Sequence, residues 1–153
     1  MRILNIDDDS FKHYDICNVI KSCCTAEIEW AKNLKEGIVK IEEAQGLMEM
    51  FNLVITDMYY PFEKGEKEIN AGEILIHKMT EMKIKVPIIL CSSANFCIPE
   101  IFGTIHYSQN ENWEDELRNM ILKVKISIAD PSIETTDDIV RKNLDEQENQ
   151  KQT

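Results

Sequence analysis

The sequence predicts an α/β fold: a three-layer α/β/α sandwich around a five-stranded parallel sheet, doubly wound as (β/α)5. Three observations lead there. Apolar, β-branched-rich runs alternate with helix-period segments five times along the chain, and such alternation calls for right-handed crossovers onto a parallel sheet. Most of the strand candidates are near-continuously apolar, as strands covered on both faces are. The 153 residues suffice for one domain with its own core.

In order, Arg2–Ile6 (RILNI) reads as a short apolar strand ending in three aspartates. Ser10 is the expected cap of a helix over Phe11–Ser22, with Phe11, Tyr14, Ile16, Cys17 and Ile20 toward the core. Ala26–Trp30 alternates as a strand. Asn33 precedes a helix running to about Met48, with Leu34, Ile38, Ile41 and Leu47 at helical spacing. Phe51–Thr56 (FNLVIT) is a buried strand ending at Asp57. A polar stretch, Pro61–Asn70, interrupts before a helix over Ala71–Met82 carrying Ile74, Leu75 and Met79. Val86–Cys91 (VPIILC) is the most apolar strand and ends in Ser92-Ser93. Gly103–Tyr107 (GTIHY) is the fifth strand, and Trp113–Ile126 an amphipathic helix with Trp113, Leu117, Ile121 and Val124 on one face. The domain is expected over 1–126. The remainder, 127–153, reads as an acidic polar tail, disordered or helical over Asp137–Glu148.

Composition excludes several function classes. A hydrophobic content of 43% with 29% charged residues is that of an ordinary soluble globular protein. No apolar run reaches the roughly 18 residues that a membrane span needs, and MRILNIDDDS has no leader pattern, so a cytoplasmic protein with no membrane partner is expected. The net charge of −11 and the lack of a Lys/Arg cluster argue against direct nucleic-acid binding. The five cysteines are odd in number and lack the paired spacing of a zinc site.

In parallel α/β sheets, ligands bind beyond the carboxyl ends of the strands. Here Asp7-Asp8-Asp9, Asp57 and Ser92-Ser93 end strands one, three and four, so acids and hydroxyls converge on one edge. Carboxylates gathered there repel unless a cation lies between them, and Mg²⁺ suits carboxylates, a carbonyl and waters. Beside it a carboxylate can attack a phosphoryl donor to give an acyl phosphate. Any single acid also has a plain reading, since loops are polar and aspartate caps helices. The joint pattern is what singles out the edge.

The same residues carry a family resemblance. ILNIDDDS resembles the opening of a CheY-like receiver domain of bacterial response regulators, a flavodoxin-like fold, with Asp7 and Asp8 at the metal positions. LVITDMYYP resembles the third-strand motif, where the acceptor aspartate is followed four residues later by proline. Asp57 would be that acceptor and a metal ligand, and Tyr59 would offer its backbone carbonyl to the metal. VPIILCSSA resembles the fourth-strand motif, placing Ser92 against the phosphoryl group and Ser93 where a small residue is usual. The resemblance spans about residues 2–126. It implies a stand-alone receiver in a two-component phosphorelay, dependent on Mg²⁺, phosphorylated by a histidine kinase or phosphotransfer protein and acting on a protein target. Catalysis would be limited to self-phosphorylation and self-dephosphorylation.

The chain departs from the family in three places. The fifth-strand lysine that pairs with the phosphoryl group is missing: Tyr107 or Ser108 stands there, and no Lys or Arg lies between Lys85 and Arg118. One such charge-assisted contact is worth roughly 1.5–3 kcal/mol. Thr104 or Ile105 stands where an aromatic switch residue is usual, with His106 and Tyr107 as substitutes. Residues 62–70 (FEKGEKEIN) read as an insertion beside the site, and the stretch from Ser92 to Tyr107 is short, so a stunted fourth helix is expected. Tyr59-Tyr60 stand at the mouth of the site, and Trp30 and Trp113 read as packing residues. Two other functions stay open. One is a pseudo-receiver that serves only as an interaction module. The other is a haloacid-dehalogenase-type phosphohydrolase using Asp7-Asp8-Asp9 with Ser92 or Ser93, which would leave Asp57 idle.

Overall fold

The computed structural model describes residues 1–130. Five parallel strands form the sheet: β1 (Arg2–Ile6), β2 (Glu27–Ala31), β3 (Leu53–Thr56), β6 (Ile88–Ser92) and β7 (Gly103–His106), in the order β2-β1-β3-β6-β7. Between β3 and β6, the segments β4 (Tyr60–Pro61) and β5 (Glu68–Ile69) pair antiparallel as a small ribbon. Four helices flank the sheet: α1 (Ser10–Cys23), α2 (Leu34–Gly46), α3 (Ala71–Glu81) and α4 (Trp113–Ala129).

Alternation along the strands divides the core in two. Leu4, Ile6, Val54, Ile88 and Leu90 meet Leu34 and Ile41 of α2 and Leu75 and Met79 of α3. Ile3, Leu53, Ile55, Ile89, Cys91 and Ile105 point the other way, onto Ile16, Val19 and Ile20 of α1 and Leu117, Ile121 and Val124 of α4. This is the expected three-layer sandwich, with one helix fewer. Between β6 and β7, residues 93–102 form bends and turns with no helix. That segment is too short to cross the sheet as a full helix and return. The insertion at 62–70 is not a loose loop either, because it folds into the β4–β5 ribbon, with Gly65 taking the positive φ of 85° at its turn.

The helix caps follow local chemistry, with one correction. Asp9, not Ser10, is the N-cap of α1: its carboxylate accepts from the amides of Phe11 and Lys12 at 3.0 and 3.2 Å. The helix therefore starts one residue earlier than expected. Ile16, Cys17 and Ile20 are buried as expected, together with Lys12, His13 and Val19, while Phe11 and Tyr14, expected in the core, are exposed. Leu47 and Ile74, apolar positions of the two expected helices, are exposed as well; Leu47 lies past the last turn of α2 and Ile74 beside the inward stripe of α3. Asn33 caps α2 by accepting from Glu36, and Glu36 accepts in turn from the amide of Lys32, close to a capping box. Glu114, Asp115 and Glu116 open α4, where negative charge suits the helix dipole. The helix runs on to Ala129, past the domain end expected at 126. The tail helix expected over 137–148 lies outside the described residues.

Asp9→Ala should cost about 1 kcal/mol through loss of the cap, and Ser10→Ala close to nothing. A urea midpoint lowered for the first variant only, at an unchanged slope, is the expected result; equal midpoints would return the cap to Ser10.

Candidate functional site

Backbone register assembles the site. Ile6 pairs with Thr56 across β1 and β3, the Asp7 amide donates to the Ala31 carbonyl, and the Asp57 amide donates to the Ile6 carbonyl, each bond 3.0 Å. The two aspartates are therefore held side by side just beyond the central strands. Each has a further support. The Trp30 indole donates to the Asp7 carbonyl at 2.8 Å while its ring stacks on His13 at 4.1 Å. The Asp57 carboxylate accepts from the Met58 amide at 2.7 Å through Oδ1, leaving Oδ2 toward the site. Ser92, the last residue of β6, is buried, and its hydroxyl accepts from the Ala94 amide at 3.4 Å.

Carboxylate oxygens of Asp7, Asp8 and Asp57 all lie within 4.8 Å of one another. Asp7 is buried, Asp57 half-buried and Asp8 exposed, so the cluster has a dry floor and an open mouth. Burial, against the pull of Lys12 and with Asp57 adding to it, pushes the Asp7 carboxyl up to about 6. Asp8 is also raised, by burial first and then by Glu68. Glu68 belongs to β5, so the inserted ribbon adds negative charge beside the cluster.

A side chain that sequence analysis missed enters from α1. Lys12, only 4% exposed, places Nζ 3.0 Å from Asp7 Oδ2 and 3.3 Å from Asp57 Oδ2. It donates its hydrogen bond to the Cys91 carbonyl at 2.5 Å. Burial alone would lower its pKa, but Asp7 and Asp57 outweigh that and raise it, so the group is an ammonium ion. The signal was in the sequence: Lys12, Ile16 and Val19 follow helical spacing, so a lysine heads the buried stripe of α1.

The cluster fits a divalent cation. Three carboxylates against one ammonium ion leave an excess of two negative charges. Asp7 Oδ2 is buried with the Lys12 ammonium 3.0 Å away, so one cation already stands against this oxygen. A divalent cation on the Asp8 side would balance the charge that Lys12 leaves over. Of the remaining expected residues, Tyr59 is exposed at the rim, its ring 6.0 Å from that of Phe96. Tyr60 is not at the mouth: it is fully buried, with its hydroxyl 2.8 Å from the Thr56 hydroxyl. Tyr107, directly after β7, packs on Trp113 and donates to Asp15 of α1 at 2.6 Å. Trp113 is buried in the α1/α4 core, as expected.

No protein-family model and no curated protein matches the sequence. Solved structures do match. The CheY-like response regulator receiver domain protein of Methanospirillum hungatei JF-1 is similar with 21% identity and a TM-score of 0.60, over 84% of this chain and 96% of that one. The response regulatory domain of Klebsiella pneumoniae mrkE matches with 14% identity and a TM-score of 0.65, over 83% and 97%. A two component response regulator of Cytophaga hutchinsonii matches with 20% identity and a TM-score of 0.60, over 80% and 96%. No described helix is long and apolar enough to cross a membrane. With its parallel sheet order and the acidic cluster at the carboxyl edge, the chain has the CheY-like fold of response-regulator receiver domains.

Proposed function

We propose that the chain is a phospho-accepting receiver, with Asp57 as acceptor and Mg²⁺ held by Asp7, Asp8, Asp57 and the Tyr59 backbone carbonyl. The observation that carries this reading is the convergence of the Asp7, Asp8 and Asp57 carboxylates within 4.8 Å of one another, with two negative charges left over once Lys12 is counted. Bound there, Mg²⁺ would neutralise phosphoryl oxygens and so lower the barrier to transfer. The chain's own residues do the rest. A carboxylate oxygen of Asp57 attacks phosphorus and forms the O–P bond. The donor's P–N bond breaks, and its imidazole leaves with the electron pair. The Ser92 hydroxyl, at the end of the adjoining strand, donates to a phosphoryl oxygen. The donor is a histidine kinase or phosphotransfer protein, and the signal passes to a protein target by binding, in the cytoplasm and without nucleic acid or membrane contact.

Asp9 weighs against the phosphohydrolase alternative. That chemistry needs a second acid two residues after the first, yet the Asp9 carboxylate is committed to capping α1. The pseudo-receiver alternative keeps one specific support, the missing helix between β6 and β7, where receivers commonly present a partner surface.

Intact mass after incubation with acetyl phosphate and Mg²⁺ decides the matter. One labile phosphoryl adduct, lost in Asp57→Asn, is expected. A folded, Mg²⁺-saturated protein without adduct would make the chain a pseudo-receiver, and catalytic turnover of a phosphate ester would make it a hydrolase.

A further inference from the structure

We propose that Lys12, from the first turn of α1, is the cation that pairs with the phosphoryl group on Asp57, a role relocated from the end of the fifth sheet strand to the first helix. The proposal rests on the receiver reading above and names a residue which that reading leaves without a role.

Three observations place the ammonium group where a phosphoryl oxygen would meet it. Lys12 Nζ lies 3.3 Å from Asp57 Oδ2, the oxygen left open once Oδ1 has accepted from Met58. It is tied to the carbonyl of Cys91, the residue just before Ser92, so the cation is anchored at the end of the strand that carries the hydroxyl. Among the described residues, ion pairs join it to Asp7 and Asp57 and none joins it to Asp8, which leaves the Asp8 side of the cluster for the metal. Lysine and metal can then bind at once, one on each side of the acceptor.

The end of β7 explains why the lysine comes from elsewhere. Tyr107 follows the last residue of that strand, and its amide donates to the Ser92 carbonyl at 2.8 Å. Its ring lies under the ammonium group, with Nζ 5.4 Å from the centroid, which favours a cation there. Its hydroxyl is bonded to Asp15, one turn along α1 from Lys12, so β7 holds the helix that delivers the cation. The Asp9 cap fixes the same turn by accepting from the Lys12 amide. A side chain buried and bonded in this way is preorganised and loses little freedom when it engages a phosphoryl oxygen.

The test uses beryllofluoride, a phosphoryl mimic, titrated into the Mg²⁺-loaded full chain, with the heat of binding as the readout. Lys12→Met is expected to weaken beryllofluoride binding roughly ten- to hundredfold, the worth of one charge-assisted contact. Its affinity for Mg²⁺ alone should be unchanged or higher, since a like charge has gone. In the Lys12→Met background, Tyr107→Lys should restore binding by supplying an ammonium group from the end of β7. Equal beryllofluoride affinity in the wild type and folded Lys12→Met would overturn the proposal and leave Lys12 a resting counter-ion, with the receiver reading intact. If the wild type itself binds no beryllofluoride and forms no adduct, the receiver reading falls, and this one with it. Should Lys12→Met not fold, the ¹⁵N resonance of the Lys12 ammonium in the wild type decides: it should move when beryllofluoride is added to the Mg²⁺-loaded protein, and a resonance that stays put sinks the idea.

Discussion

Asp7→Asn is expected to make the metal-free protein more stable while abolishing its response to Mg²⁺. Burial, opposed by Lys12 and reinforced by Asp57, raises the Asp7 carboxyl from 3.8 to about 6 on folding. Below the unfolded value both states are protonated, and Asp7 contributes no difference. As pH rises from 3.8 toward 6, the unfolded chain releases the proton first, so stability falls; above 6 the folded state carries the full cost of a buried anion. A shift of that size corresponds to about 3 kcal/mol, at 1.36 kcal/mol per pKa unit. Asparagine is close to the neutral form, so the variant should regain roughly 1–3 kcal/mol at pH 8, a Tm gain of about 2–4 °C per kcal/mol in a chain this long. Mg²⁺ should raise the melting temperature of the wild type, since it binds only the assembled site, and leave that of the variant unchanged. Thermal melts from pH 4 to pH 8, with and without Mg²⁺, check both parts. A variant less stable than the wild type at pH 8 without metal would show that the Asp7–Lys12 pair stabilises the fold instead of straining it.

Gly72→Ala is expected to damage both the fold and the acceptor. A Cβ at Gly72 would stand 2.4 Å from the Asp57 carbonyl oxygen and 2.9 Å from Met58 Cα. Both are backbone atoms, and the Gly72 amide is itself bonded to the Met58 carbonyl at 2.9 Å. The clash cannot be relieved by rotating a side chain. Overpacking of this kind costs about 1–3 kcal/mol, and backbone neighbours put Gly72 at the upper end. The peptide that must shift carries Asp57, so adduct formation with acetyl phosphate should slow as well. Gly46→Ala is the control: nothing lies within 4 Å of its Cβ, and alanine in a helix should gain up to about 1 kcal/mol. Equal stability of the Gly72 variant and the wild type would mean that α3 slides away from the Asp57 loop at no cost.

The helix α1 shows how far a sequence can be read. Its position and approximate length follow from apolar spacing, but its rotation does not. Asp9 and Ser10 are both good caps, and choosing between them moves the start of the helix by one residue without deciding which side faces the sheet. Packing decides it: Ile16, Cys17 and Ile20 face inward, Phe11 is left in solvent and Lys12 is brought to the site. A lysine at a buried helical position looks like a patterning error until the acids it meets are placed. Those acids lie at the ends of two other strands, and one of its bonds spans 79 residues of sequence.

Sequence alone determined the five strands of the main sheet, the order of the helices and the acidic edge. Burial on both faces imposes continuous apolar runs such as VIT and IILC, and the polar residues that end such runs must lie at the carboxyl edge. Those are local rules, written in consecutive residues. Tertiary structure decided which cation stands beside Asp57, that Tyr60 is buried while Tyr59 stays exposed, and that residues 62–70 fold into a ribbon carrying Glu68 toward Asp8. Each depends on the distance between groups far apart in the chain. Coulomb and desolvation energies follow that distance and the dielectric around it, which spacing along the chain does not encode.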